Sequence, residues 1–384
     1  MTQRLYYEDA YIRSFTARVI SCEREGDRFA LILDRTAFFP GGGGQQPDGG
    51  TAGGAEVLGM AEAVGEIIHY VNQQFAPGSE ISCELDWPVR FRRMQNHSGE
   101  HIISGVAHAL FGYDNVGFHM EENFVTIDLG GPLTKEQLEL LERTANEAVF
   151  RNVEVSCRFP ASEELAALDY RSKLDLEDGV RIVEVAGVDR CACCAPHVKR
   201  SGEIGIIKIL TAERHRGGMR LTAACGFDAY EDYRRKSESV AAISGALSAK
   251  QDAVFPAVQR VLAEIEDMKK ERYDLRRRLL EYRIERLEPS GGNILLFERD
   301  PDPDSLRALV NAGKELCPGI CAVFAGDDEK GYRYVMGSRS VDMKARAAEI
   351  NAAVSGRGGG SREMISGTAS APRRVIEEYF AAGP

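Results

Sequence analysis

Two short segments of the chain carry side chains whose types and spacing suit a metal ion. His97 and His101 stand four residues apart in the run His97-Ser-Gly-Glu-His101, and residues at i and i+4 of a helix share one face. Helices use this spacing to present two imidazole nitrogens to zinc. Further along, the run Cys191-Ala-Cys-Cys-Ala-Pro-His197 supplies Cys193 and His197 as a C-x-x-x-H pair. Three imidazoles and one thiolate suit tetrahedral zinc, so the sequence predicts one zinc ion per chain at these four residues.

The residues leave two alternatives open at this site. Cys194 is an alternative to Cys193 as the thiolate ligand, and a purely structural zinc is an alternative to a catalytic one, although structural sites usually carry more thiolates. A protease of the H-E-x-x-H type is not indicated, because Glu100 directly precedes His101. On a helix it is expected to project about 100° away from that histidine, so the sequence offers no obvious general base.

A glycine-rich run lies earlier in the chain, at Thr36-Ala-Phe-Phe-Pro-Gly-Gly-Gly-Gly-Gln45. Gly42, Gly43 and Gly44 allow backbone N–H and C=O groups to line a substrate pocket, and Gln45 adds a side-chain amide that can orient water but cannot accept a proton. The run is not a phosphate loop, because no G-K-[ST] follows it. A flexible hairpin loop is the alternative interpretation of this segment alone.

Hydrophobic periodicity predicts an α+β fold in four parts that position these segments. Residues 1–90 are expected to form a small β-barrel that carries the glycine-rich run. Residues 91–227 are expected to form an α+β zinc-binding domain, whose first helix is capped at Asp86 and whose second is capped at Thr134 by the box Thr-Lys-Glu-Gln. A helical segment at 228–290 and a compact α/β domain at 291–384 follow.

The helical segment combines an apolar seam with basic residues. The seam steps by three and four residues through Val258, Val261, Ile265, Met268, Arg272, Leu275, Leu279 and Tyr282. Because one seam position is arginine, the pattern predicts a helical hairpin or short coiled coil rather than a long zipper. Lysine and arginine residues surround the seam, and composition alone favours a solvated helix exterior for them. In the last domain, Gly356-Arg-Gly-Gly-Gly360 is expected to be a loop.

Length and composition exclude several classes of protein. The 384 residues contain no apolar run of about 18 residues and no apolar signal sequence at the start, so neither a membrane span nor secretion is expected. Nine cysteines in a long chain are more typical of core thiols or metal ligands in a reducing compartment than of disulfides, which favours the cytoplasm. The net charge of −11 argues against a general nucleic-acid coat protein but permits a local basic patch that meets a structured RNA.

Together, three motifs resemble one family, the freestanding alanyl-tRNA editing proteins of the AlaX group, long form. The motifs are T-x-F-[FY]-P-x-G-G-G-Q at Thr36–Gln45, H-x-x-x-H at His97–His101 and C-x-x-x-H at Cys193–His197. The resemblance extends over essentially the whole chain and includes the editing and C-terminal domains of alanyl-tRNA synthetase. Residues 291–384 resemble the DHH-associated domain of these proteins. One departure is Cys-Ala-Cys-Cys-Ala-Pro-His in place of the commoner Cys-Gly-Gly-Thr-His.

This resemblance implies a zinc-dependent aminoacyl-tRNA deacylase that needs no ATP. Its expected substrates are mischarged Ser-tRNA(Ala) and Gly-tRNA(Ala), and the products are free amino acid and tRNA. A pocket built for alanine rejects such substrates poorly, so a second hydrolytic step is required. The resemblance assigns Thr36 a hydrogen bond to the serine hydroxyl. Since the chain begins with the β unit and no aminoacylation domain precedes it, editing is expected to act in trans.

The same resemblance gives the basic helical segment a role in binding tRNA(Ala). Phosphate contacts are expected at Lys269, Lys270, Arg276, Arg277 and Arg278, and a homodimer is possible through the helical segment or the C-terminal domain. Two other functions remain open: editing of a threonyl-type aminoacyl-tRNA, whose editing domains share the histidine and cysteine motifs, and a zinc-stabilised tRNA-binding factor without catalysis.

Overall fold

The computed structural model describes residues 1–172, 179–299 and 302–382. The chain divides into two compact units, Met1–Gly245 and Ala246–Pro384, and each is described here by itself. Both contain helices and sheets, which confirms the mixture of the two that the predicted α+β fold requires. The boundary between the units falls within the predicted helical segment, and the four-part division of the chain stays a prediction.

The first unit begins with a β-barrel. Its early elements are, in chain order, β1 (Gln3–Arg4), α1 (Leu5–Glu8), β2 (Ser14–Glu25), β3 (Arg28–Leu33), β4 (Arg35–Thr36), β5 (Gly50–Ala52), β6 (Ala55–Ala63), β7 (Glu66–Val71) and β8 (Glu80–Leu85). Six strands close the barrel in the order β2-β3-β7-β6-β5-β8. Burial alternates along β8, so that Ile81, Cys83 and Leu85 face the barrel core, as period-two patterning requires. The glycine-rich run connects β4 to β5 on this rigid base.

A long helix, α2 (Trp87–Phe111), follows the barrel and carries both histidines of the first motif. The Asp86 side chain accepts a hydrogen bond from the Val89 amide, Pro88 lies in the first turn, and Gly112 ends the helix in the left-handed conformation (φ 69°). These caps confirm the predicted start of the helix. Most of the helix between Met94 and Ala107 is buried, so its polar residues must find partners inside the protein.

Two small sheets enclose α2 in the rest of the first unit. The elements are β9 (Asn115–Met120), β10 (Val125–Leu129), α3 (Lys135–Phe150), β11 (Val155–Arg158), α4 (Ser162–Ala167), β12 (Ile182–Val185), β13 (Asp189–Ala192), a 3₁₀ turn (Ser201–Ile204), β14 (Ile207–His215), β15 (Gly218–Cys225) and α5 (Phe227–Ala246). The sheets have the orders β14-β15-β10-β9 and β11-β12-β13. The predicted capping box at Thr134 is present, with Gln137 as its partner. The Cys193–His197 segment follows β13 and packs on α2.

The second unit contains one long helix and a five-stranded sheet. Its elements are a 3₁₀ turn (Gln251–Ala253), α6 (Val254–Glu285), β16 (Ile294–Glu298), α7 (Pro303–Gly313), β17 (Cys321–Asp327), β18 (Gly331–Gly337), α8 (Met343–Ala353), β19 (Gly356–Gly360), β20 (Met364–Ala369) and α9 (Arg373–Ala381). The sheet order is β16-β17-β18-β20-β19, with one parallel pair, β16-β17. Along α6 the seam residues Met268, Leu275 and Leu279 are exposed, and pairing of this seam in a hairpin or coiled coil stays a prediction.

The prediction of a loop at Gly356–Gly360 is wrong, because these residues form the edge strand β19. It pairs antiparallel with β20, and Gly358 lies opposite Gly367. A Cβ on Gly358 would lie 2.2 Å from the Tyr334 hydroxyl and 2.5 Å from the Ser366 carbonyl oxygen. Glycine is therefore required here by the close approach of a neighbouring side chain and strand, which local sequence signals do not reveal.

Candidate active site

The four predicted metal ligands come together in the first unit. His97 and His101 point from α2 toward Cys193 and His197, and one ligand atom from each lies within 4.8 Å of the others. The three imidazole rings are almost completely buried. Residues separated by about ninety positions thus form one cluster, which we call the His₃Cys cluster.

Each histidine of the His₃Cys cluster is oriented by a hydrogen bond to its Nδ1 atom. The partners are Gln45 Oε1 for His97 (2.9 Å), Asp189 Oδ2 for His101 (3.0 Å) and Ser98 Oγ for His197 (3.0 Å). Such partners fix the ring and leave Nε2 free to coordinate a metal. Gln45 therefore orients a ligand in addition to any role toward substrate, and its Nε2 is buried and donates to no atom of the described residues.

The spacing of the donor atoms fits zinc. The Cys193 Sγ atom lies 3.5 Å from His97 Nε2 and 3.4 Å from His197 Nε2. Tetrahedral zinc with ordinary Zn–N and Zn–S bonds separates a nitrogen from a sulfur by about 3.5 Å. These two distances therefore fit a bound zinc ion, and the mixed nitrogen and sulfur donors are a set that suits zinc.

The structure favours Cys193 over Cys194 as the thiolate. Burial alone would raise the pKa of Cys193, but the charges of His97 and His197, with hydrogen bonds from His101 and His197, hold that pKa well below its usual range. Burial, with the negative charge of Cys193, raises the pKa of Cys194 to about 11. Among the described residues, the thiol that comes together with the three histidines is that of Cys193, and the Cys194 Sγ atom lies beside Gly42 and Gly43.

Asp189 is a candidate site residue that the sequence interpretation missed. It lies at the start of β13 and accepts hydrogen bonds from His101 Nδ1 and from Arg171 Nε, the latter at 2.8 Å. Although burial would raise its pKa, the hydrogen bond and charge of His101 and those of Arg171 lower it. Burial also opposes the charged form of His101, yet Asp189, Cys193 and Glu100 raise its pKa well above the usual value. The carboxylate therefore fixes the histidine electrostatically as well as geometrically.

The glycine-rich run forms one wall of the site. Gly42 and Gln45 exchange two backbone hydrogen bonds of 3.0 Å, and Gly43 and Gly44 occupy the turn between them with φ of 58° and 85°. A two-residue turn with positive φ at both positions strongly favours glycine. Gly43 and Gly44 line the cavity beside the cluster, whereas Gly42 is not among the described residues that line it; a Cβ on Gly42 would lie 3.4 Å from Cys194 Sγ.

A buried ion pair anchors this run to the start of α2. Arg90 and Asp48 are each about 1% exposed at the side chain and form a bidentate pair. Arg90 also donates to the Ala37 carbonyl oxygen at 2.7 Å, and Asp48 accepts from the Phe39 amide at 2.7 Å. Because the pair joins the run to the helix that bears His97, it positions the cavity wall against the cluster. The sequence offered no local signal for it.

Thr36 lies in the barrel, and the described residues that line the cavity do not include it. Its hydroxyl accepts from the Phe38 amide at 3.1 Å and lies 2.9 Å from His69 Nε2. His69 Nδ1 faces the Leu31 carbonyl oxygen, so His69 Nε2 accepts the hydroxyl proton of Thr36. This fully buried hydroxyl has no donor left for a substrate, and its predicted bond to serine finds no support in the geometry.

The cluster opens into a cavity of about 1190 Å³. The residues that line it include Gly43, Gly44, His97, Glu100 and His101. Aromatic residues Tyr7, Phe159 and Tyr170 also line it; the Phe159 ring is 51% exposed and meets Tyr7 edge to face. The cavity therefore combines potential metal ligands, backbone groups and flat apolar rings.

The expectation that Glu100 points away from the second histidine is wrong. Its carboxylate is buried, lines the cavity and brings Oε2 to 3.9 Å from His101 Nε2. The 100° offset around the helix is bridged because a glutamate side chain is long enough to curve back along the helix surface. The structure thus provides an acidic group where the sequence suggested none.

The five basic residues predicted to contact tRNA lie on α6, in the second unit. Lys269 and Lys270 pair with Glu266 (2.7 Å) and Asp267 (3.5 Å), and Arg277 faces Glu281 at 3.8 Å. These are exposed pairs between neighbours on one helix, and such pairs contribute little to stability. Arg276 and Arg278 are exposed as well. Within the described ranges, no helix is long and apolar enough to cross a membrane.

The chain is similar to known proteins in two ways. Residues 180–221 match the family described as the threonyl and alanyl tRNA synthetase second additional domain. Over 400 residues the chain is 27% identical to alanyl-tRNA editing protein AlaX-L of Pyrococcus horikoshii, covering 98% of this chain and 97% of that protein. Alanyl-tRNA editing protein Aarsd1 of Rattus norvegicus is 26% identical, with 97% and 95% covered.

Similarity to alanyl-tRNA synthetases covers part of those longer proteins. Alanine–tRNA ligase of Halobacterium salinarum is 32% identical over 88% of this chain but only 38% of the ligase. Among solved structures, the C-Ala domain of Aquifex aeolicus alanyl-tRNA synthetase matches 25% of this chain at 16% identity, with a TM-score of 0.21 that supports no argument about fold. The full-length similarity nevertheless confirms the resemblance that the motifs predicted: this chain resembles the alanyl-tRNA editing proteins from one end to the other.

Proposed function

We propose that this protein hydrolyses the ester bond of mischarged tRNA(Ala) in trans, with Ser-tRNA(Ala) and Gly-tRNA(Ala) as substrates and one zinc ion per chain. The observation that carries the proposal is the His₃Cys cluster beside a glycine-walled cavity. Similarity to alanyl-tRNA editing proteins over nearly the full length supports the substrate class.

His97, His101, Cys193 and His197 would hold the ion, and bound zinc would supply Lewis-acid polarisation of an ester carbonyl. The protein's own groups bind and orient the substrate. Gly43 and Gly44 offer backbone groups beside the cluster, and Gln45 Nε2 retains unused donors nearby. The ring of Phe159 offers a surface on which the 3′-terminal base of tRNA can stack, an interaction of about 1–3 kcal/mol per base.

The tRNA body would be bound by the second unit. The basic residues of α6 are free of deep burial, so their charges are available to phosphates. We propose Lys269, Lys270, Arg276, Arg277 and Arg278 as those contacts. A homodimer through α6 or the following domain, and action in the cytoplasm, complete the proposal.

A panel of purified aminoacyl-tRNAs tests the proposal. The protein is incubated with Ser-tRNA(Ala), Gly-tRNA(Ala), Ala-tRNA(Ala) and Ser-tRNA(Thr), and ester loss is followed against the uncatalysed rate. We expect rapid loss from the first two substrates and little from the correctly charged Ala-tRNA(Ala). Preferential hydrolysis of Ser-tRNA(Thr) would favour threonyl-type editing, since the matched family includes threonyl-tRNA synthetase. Tight tRNA binding with no hydrolysis would indicate a binding factor.

A further inference from the structure

One carboxylate beside the His₃Cys cluster is only half engaged by the protein. Glu100 Oε1 accepts hydrogen bonds from Ser104 Oγ at 2.6 Å and from Asn115 Nδ2. Glu100 Oε2 accepts none from any residue in the part of the chain that the structure describes, and it lies 3.9 Å from His101 Nε2. The side chain is 7% exposed and lines the cavity. One oxygen is therefore fixed, and the other faces the site.

A carboxylate with a purely structural role would be expected to have both oxygens paired. Burying a charged group is costly unless hydrogen bonds or an opposite charge compensate for it. The guanidinium of Arg171, which also lines the cavity, is hydrogen-bonded to Asp189 at 2.8 Å. Ser104 and Asn115 hold Oε1 so that Oε2 remains directed at the cavity. A buried carboxylate with one oxygen fixed and the other beside a cavity is typical of a group that acts on a ligand.

We propose that Glu100 is a catalytic residue that accepts the proton of the attacking water at its Oε2 atom. The inference rests on the proposed deacylase function. The water oxygen forms a bond to the ester carbonyl carbon as its proton passes to Oε2. When the bond between that carbon and the ribose oxygen breaks, the proton passes from Oε2 to the ribose oxygen. The products are the free amino acid and tRNA, and the carboxylate of Glu100 is restored.

The geometry permits this transfer. A general base must reach the water at about 2.6–3.2 Å, and the 3.9 Å between Oε2 and His101 Nε2 lets one water lie within that reach of Oε2 and next to a member of the cluster. Gln45 cannot replace Glu100, because an amide does not accept a proton at neutral pH. Asp189 cannot replace it either, because both of its oxygens are engaged, by His101 and by Arg171.

The test compares Glu100→Gln with the wild-type protein. Three quantities are measured: kcat and KM on Ser-tRNA(Ala), zinc content, and the Kd for a non-hydrolysable seryl-tRNA analogue with an amide in place of the ester. We expect kcat to fall by about 10²–10⁴-fold, the usual contribution of a general base. KM, zinc content and analogue affinity should stay close to wild type. Glu139→Gln removes an exposed carboxylate on α3 and serves as the matched control.

Three results would overturn the role of Glu100 as a general base. The first is an unchanged kcat. The second is loss of zinc, which would make Glu100 a ligand or a support of the cluster, and the third is weakened analogue binding, which would make it a binding group. If Glu100→Gln fails to fold, Glu100→Asp keeps the charge but withdraws it by one methylene, and kcat should again fall while zinc content holds. A wild-type protein without deacylase activity overturns the proposed function as well. An active wild type with an equally active Glu100→Gln variant overturns only the role of Glu100.

Discussion

The His₃Cys cluster and the exposed face of α6 differ in how fully the protein specifies them. In the cluster, every histidine has a partner at Nδ1, and those partners come from the glycine-rich run, from α2 and from β13. Along α6, apolar seam residues such as Met268 and Leu275 are exposed, and Lys269 and Lys270 pair with acidic neighbours on the same helix. The hydrogen-bond partners of the cluster's histidines all come from the same chain. The exposed face of α6, by contrast, has the apolar and basic composition of a surface that binds a partner molecule.

This difference shows which of the two regions needs precisely placed atoms. Chemistry on an ester requires atoms held to within a fraction of an ångström, and buried partners provide that. Recognition of a phosphate backbone requires charge more than fixed geometry, and long side chains in water provide that. We therefore expect substitutions around the cluster to have large, local and specific effects, and substitutions on α6 to have smaller effects that depend on salt.

The largest effect is expected from removing the thiolate of the cluster. Cys193→Ala should lose zinc almost completely, because coordination of a structural-type zinc is worth about 10–16 kcal/mol and depends on the full set of ligands. Cys194→Ala is the matched control and should retain one zinc ion per chain, since Cys194 is not among the described residues whose ligand atoms form the cluster. Metal content after gel filtration measures both. Zinc loss in Cys194→Ala but not in Cys193→Ala would reverse the assignment of the thiolate.

The next largest effect concerns the ion pair that holds the glycine-rich run. Arg90→Met leaves the Asp48 carboxylate buried without its partner, which should lower the free energy of unfolding by about 3–5 kcal/mol. The control is Arg4→Met, which breaks the more exposed pair with Glu62 and should cost at most about 1 kcal/mol. Urea unfolding measures both variants. Equal losses of unfolding free energy in the two variants would show that burial of the Arg90–Asp48 pair does not add to its effect on stability.

A pH-dependent effect of intermediate size is expected from the barrel histidine. Burial lowers the pKa of His69 to about 4, whereas an unfolded histidine titrates near 6.5. Between these values the unfolded chain binds a proton that the folded chain does not, so stability is full above pH 6.5 and is lost as pH falls toward 4. The loss due to His69 should approach about 3 kcal/mol. Urea unfolding from pH 7.5 to 4.5 should show a shallower loss in His69→Gln; parallel curves would contradict this.

A smaller effect is expected from the group that orients His101. Asp189→Asn keeps the shape of the side chain but weakens the hydrogen bond to His101, and zinc affinity should fall by about 10–100-fold. Asp128→Asn, which loosens a pair with Arg220 in a different sheet, should leave zinc affinity unchanged. Competition with a chromogenic chelator measures both constants. Equal zinc affinities in the two variants would contradict a role of Asp189 in zinc binding.

The smallest effect is expected on α6. Replacing Arg276, Arg277 and Arg278 together by alanine should weaken tRNA binding about equally for all sequences. It should also reduce the slope of log K against log[salt] by about 0.9 per lost phosphate contact. The control replaces three exposed basic residues of α3 and its end, Lys135, Arg143 and Arg151. Filter binding at several salt concentrations distinguishes the two triple variants. A steep salt dependence that survives the α6 substitutions would exclude these contacts.

Local sequence signals predicted the parts of this protein that depend on local physics. The cap at Asp86, the box at Thr134 and the helical spacing of His97 and His101 follow from neighbours within one or two turns. The ligands could be found because histidine and cysteine at metal-binding spacings are rare enough to stand out. The choice between Cys193 and Cys194 could not be made, since it depends on how the segment after β13 turns toward α2.

Signals that arise from distant contacts were missed or misinterpreted. Asp189 and Arg90 look like ordinary charged residues until the fold brings them to His101 and Asp48, at separations of 88 and 42 residues. Glu100 was excluded as a general base near His101 because a helical projection considers the direction of a side chain but not its length. The strand at Gly356–Gly360 was predicted to be a loop because glycine has no preference for strands. The need for glycine at Gly358 comes from the distant side chain of Tyr334, which a Cβ would contact.

The most direct test of the account is the rate of Ser-tRNA(Ala) deacylation measured against zinc content in the same samples. The metal is removed with a chelator, quantified, and restored in steps up to one ion per chain, while circular dichroism checks that the protein stays folded. The account predicts that the rate rises in proportion to bound zinc and reaches a plateau at one ion. Full activity in folded, zinc-free protein would contradict it.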